Sequence, residues 1–342
     1  MSDGVRHPFA EPPEEGQAIR VADGILWMRL PLPMALDHVN VFALDDGAGW
    51  TVVDTGMKSR RTIAIWEQLI AGPLRGKPVN RLIITHHHPD HIGLAGWFQN
   101  RGAELVITRT AWLYARMLVL DEQTSHTPES LLFYQRAGVP GAMRAARENE
   151  RPFNFCDVVA PMPVGFTRLQ EGDVLTSAGR QWLVRLGQGH APDHATLWSL
   201  KDNLVLGGDQ LLPGISANIG VYPTEPDANP LGEWLDSTRG FVPVAHDDQL
   251  ILPGHKLPFN GLPFRLSQMV ENHESALDRL RAHLQQPRVA AECFAPLFKR
   301  EIGPDQFGLA LVEAVAHLNY LLQRGAVTRE LNREGAWHWQ SN

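Results

Sequence analysis

Imidazole and carboxylate side chains are concentrated in the short segment THHHPDH, residues 85–91. His86 and His88 are two positions apart, so in an extended loop their side chains point the same way and can bind one ion. Asp90 and His91 follow at once and can bind a neighbouring ion. Neutral imidazole and carboxylate oxygen suit Zn²⁺, and also Mn²⁺ or iron. The segment therefore predicts part of a metal site rather than a solvated polar loop.

Three further loops contain the same residue types, and each follows a run typical of a strand. His190 and His194 follow QWLVRL, whereas Asp209 follows NLVLG. His255 follows QLIL. Because loops at one edge of a layered core converge there, we expect these side chains to meet residues 86–91. His190 can complete one ion's ligands and His255 the other's, and Asp209 suits a bridge between the two ions.

The elements that must position these loops alternate between strands and helices over the first hundred residues, which predicts α/β layers. The predicted strands there are Gly24–Leu30, His38–Leu44, Trp50–Asp54, Arg81–Thr85 and Glu104–Thr108. The predicted helices are Ser59–Ala71, with Ser59 as N-cap, and one near Ile92–Arg101. Strands resume at Gln181–Leu186, Ala195–Leu200, Asn203–Gly208 and Gln249–Gly254.

Two regions are helical in pattern. Residues 111–165 interrupt the alternation, and they predict either an apolar cap over the metal site or helices that only bury each other. From Leu266 to Leu284, apolar residues spaced three and four apart predict one long helix, with His273 as a packed core residue. A second helix is predicted over Asp305–Gln323 with a C-cap at Gly325, followed by a short strand or wing.

The composition is that of an ordinary globular protein, with 342 residues, 44% hydrophobic residues and a net charge of −7. Lys and Arg form no run, which argues against a dedicated nucleic-acid surface, although a metal site can supply positive charge locally. Cys156 and Cys293 do not imply a disulfide framework. The polar, Pro-rich start predicts no signal peptide, and we expect a cytoplasmic protein.

The H-x-H-x-D-H spacing of residues 86–91 resembles the motif of the metallo-β-lactamase superfamily. VVDTG (Val52–Gly56), GHAPDH (Gly189–His194), GGD (Gly207–Asp209) and PGH (Pro253–His255) resemble its other motifs, in the same order. The resemblance covers roughly residues 20–260 and implies an αββα sandwich with a dinuclear metal site at one edge.

The resemblance also implies roles residue by residue. One metal would be bound by His86, His88 and His190, the other by Asp90, His91 and His255, with Asp209 bridging them. Asp54 and His194 are expected to support the ligands without binding metal. His87 occupies a variable position of the motif and is expected to be a non-ligand. Asp193 stands where many relatives have Gly, and its role stays open. The two ions are predicted to be Zn²⁺, with Fe or Mn compatible.

The implied chemistry is hydrolysis by a metal-bridged hydroxide that attacks a carbonyl or phosphoryl centre. Asp90 would also orient the hydroxide, and either a water or Asp209 would protonate the leaving group. The chain most resembles the β-lactamase-like-protein-2 and glyoxalase II-like group with a C-terminal winged-helix-like segment. We expect an ester, thioester or lactone of a small or medium molecule as substrate; the alternative is a phosphodiester or RNA.

The predicted organisation has three parts. Residues 1–20 form a loosely ordered lead, residues 21–262 form the catalytic domain with its insertion at 111–165, and residues 263–342 form a helical extension. We expect a small-molecule substrate rather than RNA, no membrane partner, and an extension that serves packing or homodimerisation.

Overall fold

The computed structural model describes residues 4–342, which fall into two compact units. The first unit comprises the described residues up to 122 together with 154–217 and 244–265. The second comprises residues 123–153, 218–243 and 266–342.

The first unit contains two β-sheets. The seven strands of the first sheet are paired in chain order: β1 (Ile19–Ala22), β2 (Ile25–Pro31), β3 (His38–Asp45), β4 (Trp50–Val53), β5 (Val79–Ile83), β6 (Glu104–Thr108) and β7 (Thr167–Leu169). The strands of the second sheet are β8 (Val174–Ser177), β9 (Arg180–Gly187), β10 (His194–Ser199), β11 (Leu204–Gly208) and β12 (Leu250–Pro253). β4 to β7 run parallel, as do β11 and β12, and the other neighbours are antiparallel.

The side chains of the first sheet alternate between two hydrophobic cores. In β5, Leu82 belongs to one core and Ile83 to the other, and in β6 Leu105 and Val106 divide in the same way. Successive side chains of a strand point to opposite faces, so both faces of this sheet are covered. One core lies between the two sheets, since it also contains Trp182 and other residues of the second sheet. The α/β sandwich that the sequence predicts is therefore confirmed.

Eleven α-helices are assigned in the described residues. They are α1 (Arg60–Ala71), α2 (Pro89–Ile92), α3 (Ala95–Gln99), α4 (Arg109–Leu120), α5 (Pro128–Arg136), α6 (Gly141–Arg147), α7 (Phe155–Val158), α8 (Pro230–Phe241), α9 (Leu262–His283), α10 (Phe294–Phe298) and α11 (Phe307–Gln323). Short 3₁₀ helices occupy Val242–Val244, Ala290–Glu292 and Pro304–Gln306.

The start of α1 is the predicted one. The Ser59 hydroxyl accepts a hydrogen bond from the Thr62 backbone N–H at 2.9 Å, which satisfies one of the donors left free at a helix start. The single helix predicted near Ile92–Arg101 is wrong in detail, because two short helices, α2 and α3, lie there. The two helices are separated by Gly93 and Leu94, and Leu94 leaves the helical conformation, with φ of −108° and ψ of 15°.

The second unit contains the helices α5, α6, α8, α10 and α11 and the boundary-spanning helix α9. Within it, His273 of α9 is buried and lies 3.2 Å from His317 of α11, between Nδ1 and Nε2. His273 is thus the packed core residue that its apolar stripe predicts. After α11 the chain forms an antiparallel hairpin of β13 (Val327–Leu331) and β14 (Trp337–Ser341). Residues 326–331, for which the sequence predicts a short strand or a wing, contain the strand β13.

Three further features concern membrane-spanning helices, the cysteines and the N-terminal residues. Within residues 4–342, no helix is both long enough and apolar enough to cross a bilayer. Cys156 and Cys293 are free thiols. Residues 1–3 of the predicted lead lie outside the described residues, and paired backbone hydrogen bonds join Arg6 of the lead to Asn260.

Candidate metal centre

The candidate residues all lie close to the ends of strands of the first unit, in loops, in the short helix α2 or, for His194, at the first residue of β10. Residues 86–91 follow β5, and Asp54 follows the neighbouring parallel strand β4. His190 follows β9, and Asp209 and His255 follow the parallel strands β11 and β12. Parallel neighbours end at the same edge of a sheet, so the topology brings these loops together.

The first group consists of three imidazole nitrogens. His86 Nε2 lies 3.0 Å from His88 Nδ1, which lies 3.0 Å from His190 Nε2. Burial, reinforced by His91, holds the pKa of His86 well below its ordinary value, and burial with His190 does the same for His88. Both rings are therefore neutral near pH 7, and neutral imidazole is the metal-binding form.

The second group mixes carboxylates and imidazoles. Asp90 Oδ2 lies 3.4 Å from His91 Nε2 and 3.3 Å from His255 Nε2. Burial opposes a charge on His255, but Asp209 and Asp90 raise its pKa to about 10. The carboxylates of Asp90 and Asp209 thus stabilise a positive charge in this pocket. A divalent cation can provide that charge.

Asp209 contacts members of both groups. Its Oδ2 lies 3.4 Å from His190 Nε2 and 3.3 Å from His255 Nε2, while its Oδ1 lies 3.4 Å from His91 Nε2. Three overlapping clusters are close enough to hold a metal ion: His86, His88 and His190; His86, His91 and Asp209; and Asp90, His91 and His255. The structure therefore brings together all seven residues that the motifs single out.

Ring nitrogens that face away from the centre have their own partners. His91 Nδ1 lies 2.8 Å from Asp54 Oδ2, and Asp54 also accepts hydrogen bonds from the backbone N–H and hydroxyl of Thr85. His86 Nδ1 lies 3.0 Å from Thr85 Oγ1. Such contacts fix the tautomer and orientation of a ligating histidine. They leave His86 Nε2 and His91 Nε2 directed at the centre.

His194 supports the Asp209 loop. Its Nε2 accepts a hydrogen bond of 3.0 Å from the Asp209 backbone N–H. His194 belongs to none of the three clusters, and neither does His87. His87 instead packs against the aromatic rings of Tyr114 and Phe155, with ring centroids 5.3 and 6.4 Å apart.

Asp193 adopts the left-handed conformation, with φ of 55°. Glycine takes this conformation without strain, whereas a residue with a side chain must be held in it by its surroundings. The Asp193 side chain compensates by accepting a 2.9 Å hydrogen bond from Gln188 Nε2 and another from Thr110 Oγ1. The residue thus shapes the loop that carries His190 and His194.

Two glycines leave room for the carboxylate and the rings. A Cβ on Gly254 would lie 2.3 Å from Asp209 Oδ1 and 3.0 Å from His91 Cε1. A Cβ on Gly208, whose φ is +48°, would lie 2.5 Å from His194 Cε1. The GGD and PGH motifs therefore combine a polar side chain with a glycine that makes its position possible.

Sequence reasoning missed His38, at the start of β3. Its carbonyl oxygen is 2.7 Å from His255 Nδ1, and its Nε2 accepts a 2.9 Å hydrogen bond from the Lys256 backbone N–H. The buried Asn40 donates to the carbonyl oxygens of Pro253 and Lys256. Two polar residues in the otherwise apolar run His38–Leu44 were the available signal.

The comparisons with known proteins agree with this geometry. The family model of the metallo-beta-lactamase superfamily matches residues 34–255, and the family model of a metallo-beta-lactamase-like C-terminal domain matches residues 277–342. A probable metallo-hydrolase of Bacillus subtilis (strain 168) is 24% identical over 326 residues, which are 94% of this chain and 96% of that protein.

Two solved structures share the fold over nearly their whole length. A beta-lactamase domain protein from Burkholderia ambifaria is 34% identical with a TM-score of 0.90, covering 99% of this chain and 98% of that one. A metallo-beta-lactamase family protein from Thermus thermophilus is 26% identical with a TM-score of 0.78, covering 94% and 100%. The chain therefore belongs to the metallo-beta-lactamase superfamily and is a metallohydrolase of that superfamily.

Proposed function

We propose that this chain binds two divalent metal ions through the seven converging side chains. His86, His88 and His190 hold one ion, Asp90, His91 and His255 hold the other, and Asp209 bridges them. The observation that carries the proposal is the Asp209 carboxylate, whose Oδ2 lies within 3.4 Å of His190 Nε2 and within 3.3 Å of His255 Nε2. The mixture of imidazole and carboxylate favours Zn²⁺, with Fe and Mn compatible.

Two bound divalent ions would supply Lewis acidity and lower the pKa of a nearby water toward neutrality. The residues of the chain do the positioning. Asp90 would orient the attacking water by accepting a hydrogen bond from it, since the Asp90 carboxylate lies within 3.4 Å of the His91 and His255 rings. Asp209 is placed to take up the proton that the attacking water gives up and to pass it to the leaving oxygen or sulfur as the acyl bond breaks. Asp54 and His194 hold the His91 ring and the Asp209 loop in place.

The proposed substrates are esters, thioesters or lactones of small or medium molecules. Tyr114 and Phe155 place aromatic surface against His87, which is adjacent in sequence to two of the proposed ligands. An apolar surface next to the ligands favours an acyl group over a polyanion. The net charge of −7 points the same way, because RNA binding relies on clustered cations.

A parallel activity panel tests this proposal. Zn²⁺-loaded protein is assayed with p-nitrophenyl esters, acyl thioesters and lactones, and alongside with bis-p-nitrophenyl phosphate and single-stranded RNA. We expect turnover of at least one carbonyl substrate, lost in Asp209→Ala and retained in Asp305→Ala, whose carboxylate is exposed elsewhere. Cleavage of RNA or the phosphodiester, with no carbonyl turnover, would establish the alternative function of a phosphodiesterase or endoribonuclease.

We further propose a cytoplasmic enzyme with a catalytic domain over residues 21–262, a helical insertion at 111–165 and an extension over 263–342. The α11 helix followed by the β13–β14 hairpin supports a winged-helix-like end. Kinship with the β-lactamase-like-protein-2 and glyoxalase II-like group stays a prediction, as does homodimerisation through the extension.

A further inference from the structure

A cavity of about 300 Å³ lies wholly within the second unit. Helix α5, helix α11 and the β13–β14 hairpin all contribute to its lining. Apolar side chains dominate the walls, among them Phe133, Ala137, Ala290, Val315 and Trp339. This volume is at the lower end of the range for small-molecule sites. The cavity is therefore large enough for a compact organic ligand.

One guanidinium at this cavity has no acidic partner. Arg136 lines the cavity and is half-buried, and its Nη1 donates to the Gly335 carbonyl oxygen at 2.7 Å. Within the part of the chain that the structure describes, no carboxylate lies within ion-pairing distance of Arg136. Glu129 also lines the cavity, but it is exposed to solvent and forms no ion pair with Arg136. A half-buried cation beside apolar walls is a recognition element for an organic anion.

The second arginine at the cavity, Arg329, already has a counter-ion. Arg329 is paired with Asp227 at 2.8 Å, and it lies over the Trp337 ring at 4.5 Å from the centroid. The Arg136 guanidinium lies over the same ring at 5.3 Å. Trp337 thus helps to fix both guanidiniums, and only one positive charge among the described residues at the cavity lacks a counter-ion. One uncompensated charge suits a monoanion better than a phosphate dianion.

Two polar atoms of the lining residues are also unsatisfied. Among the described residues, neither the Trp339 indole N–H nor the Asn319 amide oxygen has a hydrogen-bond partner, and both side chains are 2% exposed. Asn319 cannot rotate freely, because its Nδ2 donates to the carbonyl oxygens of Pro226 and Ala228. A buried donor without a partner is costly, so the Trp339 N–H favours a ligand that carries an acceptor such as a carboxylate oxygen.

We propose that this cavity binds a small organic monocarboxylate with a flat apolar body. The body packs among Phe133, Val315 and Trp339, and the carboxylate accepts hydrogen bonds from Arg136. All lining residues belong to the second unit, whereas the metal-type residues belong to the first, so the proposal is independent of the proposed hydrolase function.

Calorimetric titration of the full-length protein with 2-naphthoate tests the proposal. We expect saturable one-to-one binding, and binding about tenfold weaker or worse for the neutral analogue 2-naphthalenemethanol. Arg136→Gln should reduce naphthoate affinity to that of the alcohol. Arg136→Lys should keep part of the preference for the acid. Arg333→Gln, which removes an exposed arginine of the same unit, should change nothing.

A variant that fills the cavity provides a second test of the proposal. Val315→Phe should abolish binding of both compounds while the melting temperature shows that the chain still folds. If that variant fails to fold, a crystal structure of the wild-type complex locates the naphthoate directly. The proposal is overturned by absence of saturable wild-type binding, by equal affinity for acid and alcohol, by an Arg136→Gln variant that binds like wild type, or by naphthoate located elsewhere.

Discussion

At the scale of single residues, the candidate centre depends on groups that touch no proposed metal as much as on those that do. Asp54 takes an unusual backbone conformation, with φ of 61°, and its two oxygens connect Thr85 to His91. That contact keeps a proton on His91 Nδ1, so Nε2 is the nitrogen that can release its proton and bind a metal ion. The tautomer, and with it the metal affinity, is therefore controlled by a carboxylate outside the ligand groups.

Asp54→Asn tests this control. The new amide presents N–H groups toward Thr85 Oγ1 and His91 Nδ1, so His91 must move its proton to Nε2 and loses its metal-binding lone pair. We expect the affinity for one of two metal equivalents to fall about 10–100-fold, measured by competition with a chromophoric chelator. Asp305→Asn is the matched control. Unchanged affinity for both equivalents in Asp54→Asn would show that Asp54 does not set the tautomer.

Gly254→Ala tests the steric side of the same centre. The added methyl group would lie 2.3 Å from Asp209 Oδ1, so the carboxylate must move away from both proposed ions. We predict loss of bound metal, measured by metal analysis, and loss of hydrolysis, measured by an activity assay. Gly303→Ala is the control, because no atom lies within 4 Å of its added Cβ. A Gly254→Ala protein that retains full metal content would contradict this geometry.

At the scale of elements, the sequence predicted the long, strongly patterned segments well. The strand at Glu104–Thr108 has the predicted limits, and α1 begins after the predicted cap. The short strands β1, β7 and β8 were missed, because each buries at most one side chain fully and shows little alternation. α8 was missed although Asn229 and Pro230 are a helix-start signal, and Asn229 Oδ1 does accept from the Gly232 N–H.

The candidate site was more predictable than the fold around it. Motif residues are recognisable as single letters with fixed spacing, whereas His38 contributes a backbone carbonyl, which any residue could supply. The cavity around Arg136 was also beyond sequence reasoning, because α5 and the β13–β14 hairpin are about 200 residues apart in the chain.

The cap of α1 offers an element-scale prediction. Ser59→Ala removes the acceptor for the Thr62 N–H, and we expect the free energy of unfolding to fall by about 1 kcal/mol in denaturant titration. Ser59→Asp keeps a capping oxygen and should retain most of the stability. Metal affinity should not change in either variant. Equal stability of Ser59→Ala and wild type would show that the cap contributes nothing.

At the scale of the whole molecule, metal binding and folding are linked. The proposed ligands come from separate segments of the chain, which only the folded first unit brings together. An ion that binds only the native state adds about 2.7 kcal/mol to the free energy of unfolding when its free concentration is a hundred times its dissociation constant. We therefore expect chelation to lower the melting temperature and Zn²⁺ to restore it, as followed by circular dichroism. Identical melting of the chelated and Zn²⁺-loaded protein would argue against a folded-state site.

The central claim is that seven side chains hold two ions with Asp209 between them. Elemental analysis of Zn²⁺-loaded, desalted wild-type protein by inductively coupled plasma mass spectrometry tests it most directly. We expect two equivalents of zinc per chain in the wild-type protein, and fewer in Asp209→Ala. A wild-type content of one equivalent or none, or two equivalents retained in Asp209→Ala, would contradict it.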